Sequence, residues 1–357
     1  MKKVYNVAIV GCGRIASRHC ELLTSKTIEN LNLIAICDID EVKAKKFSEK
    51  YSAPYFLSYQ KMMEEKSDVI DIVVVLTESG NHAKNVIDLA KYKKHIVVEK
   101  PIALTLPDAN KMISACAAND VYLFVVKQNR FNLPVIKTRE AFELGRFGNL
   151  FMGTIRVRWC RTQDYYDQDA WRGTWKLDGG VVTNQASHHV DLLQWFMGDI
   201  KSVFAKTIKA SARIEAEDTC VAVLKFQSGA LGLIEATTAI RPKDTEGSLS
   251  LLGSDGFVEI SGFAVNELKH WNFKNTRDDD INVKKNFSSN PPNVYGFGHK
   301  QFYEDVVYSL DEKKAPSVGG KEAIKSLEII NAIYESAESG HEVFYPFKFE
   351  HTKLGGK

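Results

Sequence analysis

The feature that most constrains the fold lies in residues 4–25, where an apolar strand runs into a glycine-rich turn and then into a helix. The turn is Gly11-Cys12-Gly13-Arg14-Ile15-Ala16, a G-x-G-x-x-A pattern. The first glycine permits a tight turn, the second lets a phosphate approach the backbone, and the alanine lets helix and strand pack closely. The free N–H groups at the helix N-terminus favour an anion. The dinucleotide-binding residues predicted here are Gly11, Gly13, Arg14 and Ile15.

An acidic residue follows at the spacing that a dinucleotide site requires. The next predicted strand, Leu31–Cys37, ends at Asp38, 22 residues after Ala16. A carboxylate at this position accepts hydrogen bonds from the ribose hydroxyls and repels a 2′-phosphate. Because no arginine directly follows Asp38, the pattern predicts NAD, and not NADP, as the cofactor.

Apolar strands and amphipathic helices alternate as far as residue 126. This rhythm predicts an α/β domain over residues 1–126, built on a parallel sheet with helices on both faces. The predicted helices are 41–51, 59–66, 81–92 and 106–119, and the predicted strands after residue 37 are 69–76, 95–98 and 121–126.

The pattern changes in residues 127–357, which we assign to a second domain. Neighbouring strands without intervening helices predict a largely antiparallel sheet. The predicted strands are 150–161, 202–209, 218–227, 230–239, 247–252 and 257–260, with hairpin turns at 228–229 and 254–256. The predicted helices are 134–144, 178–197, 298–310 and 321–339. Residues 274–293 are polar and predict a long loop, either a lid or a mobile connection.

Charge and cysteine content exclude several protein classes. The chain has 47 Lys and Arg against 45 Asp and Glu, a net charge of +2, so it lacks the basic excess of a nucleic-acid-binding protein. No apolar run reaches the roughly 18 residues of a membrane span, and no signal-peptide core is evident. The 6 cysteines are scattered without a CxxC or Cys/His cluster. We therefore expect a cytoplasmic protein with reduced thiols, no bound metal, and no nucleic-acid or membrane partner.

A chemically distinctive turn follows the predicted strand 95–98. Glu99, Lys100 and Pro101 stand together, and proline forces the strand to end. In open parallel sheets, ligands bind just beyond the carboxyl ends of the strands. Lys100 is therefore a candidate to hydrogen-bond a reacting oxygen and stabilise its developing charge. The alternative is a surface lysine before an ordinary turn.

The predicted helix 178–197 carries a second polar set. Asp178-Gly179-Gly180 opens it, and the glycines would let another backbone or a ligand come close. Asn184, His188 and Asp191 fall at i, i+4 and i+7, on one face. A histidine can take the proton of a sugar hydroxyl at neutral pH. The alternative is a helix face with a hydrogen-bonded structural histidine.

The order and spacing of these motifs resemble the Gfo/Idh/MocA oxidoreductases over nearly the whole chain. The resemblance implies a Rossmann domain followed by an α/β domain with a large, mostly antiparallel open sheet, which often forms the interface of a homodimer or homotetramer. It also implies a cis Lys100–Pro101 bond. By the same resemblance Lys100 and His188 are catalytic, and the cofactor side includes Thr77, His82, Glu99 and Lys100. Two departures are Asn184, where many members carry Asp, and Glu78, which the general pattern does not explain.

The segment 159–175 is rich in Trp, Tyr and Arg, which suit phosphate or carboxylate binding and stacking on sugars or bases. An oligomer interface is the alternative interpretation. The segment resembles the sugar-nucleotide branch of the family, the WlbA/WbpB-type enzymes, which oxidise C3 of UDP-N-acetylglucosaminuronic acid for bacterial surface polysaccharide. By this resemblance the substrate-binding residues are Lys100, Arg130, Arg161, Tyr166, Trp171, Arg172, Asn184 and His188.

Together these features predict an NAD-dependent enzyme that oxidises a hydroxyl of a nucleotide-linked sugar. Three other functions stay open at this point. They are a dehydrogenase of free inositol or aldose, an NAD-dependent glycosidase of the same family, and a non-catalytic NAD sensor. The sensor is disfavoured because Lys100 and His188 are both present.

Overall fold

The computed structural model describes residues 3–289, 291 and 295–356. They divide into two compact units: residues up to Val126 together with His299–Ile324, and Lys127–Gly298 together with residues from Lys325 onward. Within the described residues, no helix has both the length and the apolar character needed to cross a membrane.

The first unit contains the predicted parallel sheet. Its strands are β1 (Tyr5–Val10), β2 (Leu31–Cys37), β3 (Tyr55–Phe56), β4 (Ile72–Val75), β5 (His95–Val98) and β6 (Leu123–Val125). They lie in the order β3-β2-β1-β4-β5-β6, and every pair is parallel. The helices are α1 (Ala16–Thr24), α2 (Glu41–Tyr51), α3 (Tyr59–Lys66), α4 (His82–Ala90) and α5 (Leu106–Ala118). The order reverses beside β1, and ligands of such sheets bind at this point.

Most predicted elements of this unit are confirmed, with small changes at their ends. The bounds of β2, α2 and α3 are as predicted, whereas the predicted strand 69–76 shortens to β4 and the predicted helix 81–92 shortens to α4. The two-residue β3 was not predicted, because two residues give no measurable alternation of apolar and polar positions.

The second unit is built on an eight-stranded sheet. Its strands are β7 (Leu150–Arg158), β8 (Ile200–Ile208), β9 (Thr219–Phe226), β10 (Leu231–Thr237), β11 (Glu246–Gly253), β12 (Gly256–Ser261), β13 (Glu267–Phe273) and β14 (Val343–Phe344). The order is β13-β12-β11-β7-β10-β9-β8-β14, and only β7 and β10 pair in parallel. The predicted, mostly antiparallel sheet and both hairpin turns are confirmed.

Helices cover one face of this sheet. The helices that pack on it are α6 (Leu133–Glu143), α8 (Ser187–Met197) and α9 (Val283–Asn286), and the short α7 (Gln163–Asp167) follows β7. Helix α8 packs directly on β7, because a Cβ added to Gly153 would meet Leu193 and Met197. The other face exposes a row of apolar side chains, which are Phe204, Val221, Val223 and Leu231.

The helix predicted over 178–197 is shorter than expected. It begins only at Ser187, and residues 181–185 form turns before it. Gly179 has a φ of +83°, a left-handed conformation that interrupts a right-handed helix. Asn184 therefore precedes the helix and does not share a helical face with His188 and Asp191.

The predicted loop 274–293 contains ordered structure. A 3₁₀ turn spans Asp278–Asp280, and α9 follows it. Asp280 accepts two hydrogen bonds from Arg146 and one, of 2.6 Å, from the Trp271 indole N–H. These bonds anchor the start of the segment, whereas residues 290 and 292–294 lie outside the described residues.

The predicted second domain, 127–357, is interrupted. Helix α10 (His299–Asp311) and the following residues to Ile324 belong to the first unit, and α11 (Gly320–Ser339) begins there. The backbone explains this, since the Val125 N–H donates to the Val318 carbonyl and Phe124 pairs with Gly319 beside β6. Strand β6 thus pairs with a segment from far along the chain, which no local sequence pattern predicted.

Candidate active site

The glycine-rich turn has the geometry of a dinucleotide cradle. Gly11 has a φ of +104°, and a Cβ added there would lie 2.7 Å from the Leu76 carbonyl carbon. Around Gly13, by contrast, an added Cβ would meet nothing within 4 Å. The first glycine is therefore required by the protein itself, and the second leaves open space where a pyrophosphate can approach the helix N-terminus. Of the other two predicted residues, Arg14 is exposed and Ile15 is half-buried before α1.

Asp38 lies at the predicted place beside this turn. Its Oδ2 accepts a hydrogen bond of 2.6 Å from the Cys12 N–H, and its Oδ1 accepts one of 2.8 Å from the Asp40 N–H. The two bonds fix the carboxylate next to the glycine-rich turn while leaving it partly accessible. Its charge and position fit the ribose hydroxyls of NAD.

His82 bridges two backbone carbonyls of the first unit. Its ring is buried, with Nδ1 2.8 Å from the Pro101 carbonyl and Nε2 3.0 Å from the Thr77 carbonyl. Burial lowers the pKa of His82 more than the two carbonyls raise it. The ring joins the loop after β4 to the turn after β5. Glu78, unexplained by the sequence, accepts a hydrogen bond from the Asn81 side chain within the same loop.

The Lys100 turn rests on a buried carboxylate. The Lys100–Pro101 peptide bond is cis. Glu99 is buried, and its Oε2 accepts a 2.9 Å hydrogen bond from the Lys100 N–H while its Oε1 lies 3.0 Å from His19 Nε2. The sequence interpretation missed His19, although its position on the buried side of α1, one turn after the glycine-rich pattern, was a usable signal.

In the second unit, His188 and Asp191 lie in α8, and Arg130 has a partner that the sequence did not indicate. The Arg130 guanidinium, 5% exposed, binds Asp191 through Nε at 2.7 Å and Nη2 at 2.9 Å. Lys127 Nζ lies 3.5 Å from the same carboxylate. Burial raises the pKa of Asp191, but the charges of Arg130 and Lys127 lower it by more, so the pKa falls to about 2. The predicted substrate contact of Arg130 therefore stays a prediction, and its visible role is to hold α8.

Asn184 is held by a network under the turns that precede α8. Its Nδ2 donates a 2.6 Å hydrogen bond to Asp178, whose other oxygen accepts from the Gly173 N–H. Glu217 accepts from the Val182 N–H at 3.0 Å, and a Cβ added to Gly180 would overlap the Glu217 carboxylate. The close approach at this glycine is thus made by the protein, and no ligand is needed to explain it.

The aromatic and arginine-rich segment is partly satisfied within the chain. Arg161 donates to Asp244 at 2.8 Å, and Arg172 donates to Asp169 at 3.0 Å and stacks on the Trp171 ring at 4.5 Å. Tyr166 is buried, with its hydroxyl 2.9 Å from Thr238 Oγ1. An open cavity of about 850 Å³ lies along this segment. Its lining includes Tyr166, Arg172, Lys209 and Arg213.

Both units match the models of one oxidoreductase family. Residues 5–127 match the model of an oxidoreductase family described as its NAD-binding Rossmann fold, and residues 139–344 match the C-terminal alpha/beta domain of the same family. Among solved structures, the WlbA dehydrogenase of Chromobacterium violaceum, in complex with NADH and UDP-GlcNAcA, is 38% identical with a TM-score of 0.90 over 98% of each chain.

Two further relatives bear on the substrate. The WlbA dehydrogenase of Bordetella pertussis, also in complex with NADH and UDP-GlcNAcA, is 38% identical with a TM-score of 0.91, covering 98% of this chain and 100% of that one. The myo-inositol 2-dehydrogenase of Thermotoga maritima is 32% identical over 244 residues, which are 64% of this chain and 67% of the relative.

Proposed function

The chain belongs to the Gfo/Idh/MocA family of oxidoreductases, and from this premise we propose that it oxidises the C3 hydroxyl of UDP-N-acetylglucosaminuronic acid with NAD. The observation that carries the proposal is the likeness to two dehydrogenases in complex with NADH and UDP-GlcNAcA, at 38% identity over 98% of this chain. The first unit is an NAD-binding Rossmann domain. The cavity beside Tyr166 and Arg172 supports a large, charged substrate.

The residues supply the parts of the reaction that a nicotinamide cannot. Gly11 and Gly13 would hold the pyrophosphate of NAD and Asp38 would hold its ribose, and the bound cofactor would supply the hydride acceptor for the oxidation. His188 accepts the proton of the hydroxyl, as a general base. Lys100 hydrogen-bonds the same oxygen and stabilises its negative charge. Asn184, whose side chain is fixed by Asp178, orients the sugar.

The first experiment follows NADH formation by absorbance with purified protein and NAD. The substrate panel is UDP-N-acetylglucosaminuronate, UDP-N-acetylglucosamine, myo-inositol and glucose. We expect turnover with the uronate alone. Its carboxylate and diphosphate can pair with Arg172, Lys209 and Arg213 in the cavity, whereas a neutral polyol has no charged group to pair with them. Turnover with a free polyol and none with the uronate would overturn the substrate assignment and leave the cofactor assignment standing.

Variants test the two catalytic roles. Lys100→Ala and His188→Ala should each lower kcat by about 10²-fold or more, the usual effect of removing a general base or an oxyanion donor. The exposed residues Lys45 and His341 provide matched controls as Lys45→Ala and His341→Ala. Near-wild-type turnover of either catalytic variant would refute the role assigned to it.

The second candidate is a dehydrogenase of free inositol, favoured by the 32% identity to myo-inositol 2-dehydrogenase. The same panel separates it from the first candidate. A chromogenic glycoside added to the panel tests the NAD-dependent glycosidase, which would release the chromophore without net NADH.

We also propose a homodimer or homotetramer that forms through the open sheet of the second unit. The support is the exposed apolar row on that face, in which Val223 and Leu231 are each 50% accessible. Apolar rows of this kind mark protein interfaces.

We further propose that the enzyme acts in the cytoplasm, in surface polysaccharide synthesis. Its six free cysteines agree with a reducing compartment.

A further inference from the structure

Beneath the Lys100 turn, buried polar side chains form a connected hydrogen-bond chain. None of them has a direct role in the proposed proton and hydride transfers. Glu99 Oε1 lies 3.0 Å from His19 Nε2, and His19 Nδ1 lies 2.6 Å from the Tyr303 hydroxyl. His299 Nε2 lies 3.8 Å from the same Glu99 oxygen, too far for a hydrogen bond but near enough for an electrostatic interaction. All four side chains are buried.

The positions of the protons follow from the partners. Burial raises the pKa of Glu99, but His19 and His299 lower it by more, so the carboxyl stays ionised and can only accept hydrogen bonds. His19 Nε2 must therefore carry a hydrogen. Burial raises the pKa of the Tyr303 hydroxyl well above its usual range, so that group stays protonated and donates to Nδ1. The Tyr303 hydroxyl and His19 Nε2 thus both donate in the direction of Glu99.

The chain ends on the backbone of the proposed catalytic lysine. Glu99 Oε2 accepts the Lys100 N–H at 2.9 Å, so the orientation of the Glu99 carboxylate fixes the first peptide of the Lys100 turn. We propose that Tyr303 and His19 are positioning residues that hold the Glu99 carboxylate and, through it, Lys100. This inference rests on the proposed role of Lys100 in the reaction.

The arrangement joins distant parts of the first unit. His19 belongs to α1, directly after the glycine-rich turn, and Tyr303 belongs to α10, which returns from the far end of the chain. One hydrogen-bond chain therefore links the cofactor helix, the lysine turn and α10. Such a network orients a catalytic group without touching the substrate, so its loss should lower kcat and leave binding unchanged.

Paired substitutions at His19 separate hydrogen bonding from packing. His19→Gln places an amide N–H near the position of Nε2 and keeps a donor toward Glu99, whereas His19→Leu keeps the volume and removes the donor. We expect His19→Gln to retain kcat within about threefold and His19→Leu to lose about tenfold or more, the effect of one buried hydrogen bond to a charged group. The KM for the sugar nucleotide and the Kd for NADH, from fluorescence, should stay within about twofold for both.

Tyr303→Phe removes a single oxygen and tests the outer end of the chain. We expect a several-fold loss of kcat with unchanged KM. Tyr308→Phe is the matched control, because Tyr308 lies on the same helix and is exposed, and it should change nothing. Equal kcat in His19→Gln and His19→Leu, or losses that appear only in KM or in NADH binding, would overturn the proposal.

Two further outcomes are decisive. His19, Glu99 and His299 also have the donor types of a divalent-cation site, so elemental analysis of the purified enzyme should find no stoichiometric metal, and a stoichiometric ion lost in His299→Gln would overturn the hydrogen-bond chain. Lys100→Ala separates the two levels of inference. If it retains turnover, the proposed role of Lys100 fails; if it is inactive while His19→Leu and Tyr303→Phe are fully active, only the positioning role fails.

Discussion

Glu217 should make the stability of the second unit depend on pH. Burial raises the pKa of its carboxyl to about 7, against the N–H of Val182 and the hydroxyl of Tyr334, which lower it, and with the charge of Asp178 adding to the rise. Oε1 receives both hydrogen bonds, each 3.0 Å, and Oε2 has no partner among the described residues. An ionised carboxylate with one unsolvated oxygen is costly in such a site.

The direction of the pH dependence follows from the protons that the folded and unfolded states bind. The unfolded carboxyl ionises near 4.5 and the folded one near 7, so between these values the unfolded state binds fewer protons. The free energy of unfolding therefore falls as pH rises through this window. At about 1.4 kcal/mol for each pKa unit, the full effect is about 3 kcal/mol, of which about 2.5 kcal/mol falls between pH 5 and pH 8.

Tryptophan fluorescence during urea unfolding measures this effect in the right unit, because all 5 tryptophans lie between Lys127 and Gly298. Glu217→Gln cannot ionise, so its stability relative to the wild type should rise by about 2.5 kcal/mol from pH 5 to pH 8, about 1 M in urea midpoint. Glu342→Gln, at an exposed position, should show no such trend. A difference between Glu217→Gln and the wild type that does not change with pH would refute the burial argument.

Three other perturbations have defined outcomes. Asp38→Ala should weaken NAD binding by about tenfold or more, the loss of hydrogen bonds to a charged acceptor, and an unchanged Kd by fluorescence titration would contradict its ribose role. Arg130→Met removes both hydrogen bonds of the guanidinium to the buried Asp191 carboxylate and leaves it only the Lys127 ammonium at 3.5 Å, so it should cost about 3 kcal/mol in urea unfolding. Arg139→Met, which breaks a more exposed ion pair, should cost far less, and equal costs would contradict the argument. Val223→Lys on the open sheet should shift the sedimentation coefficient toward the monomer, whereas Val69→Lys in the first unit should not, and an unchanged oligomer would refute the interface.

The elements that the sequence predicted well are those whose signals are local. The bounds of β2, α2 and α3 depend on an apolar pattern and on caps within a few residues, such as Asp40, whose side chain accepts the Val42 and Lys43 N–H groups before α2. The glycine-rich turn and Asp38 were likewise placed by spacing alone. The prediction of a helix in place of the turns before α8 was wrong for the opposite reason. The N–H groups of these turns donate to Glu217 and Tyr334, which lie far along the chain.

The same distinction applies to charge. The sequence shows arginines between residues 156 and 172 as positive charge ready for a substrate, but the fold partly neutralises them. Arg158 binds Glu235, Arg161 binds Asp244, and Arg172 binds Asp169. The cavity beside Arg172 receives two further cations, Lys209 and Arg213, both from the loop after β8, and its lining also includes the acids Asp167, Asp169 and Glu215. Cationic side chains pair with phosphates, and two of the three that line this cavity come from residues about 40 positions beyond the segment that first suggested them. Composition can therefore indicate the class of substrate, while the residues that decide its affinity are set by tertiary pairing.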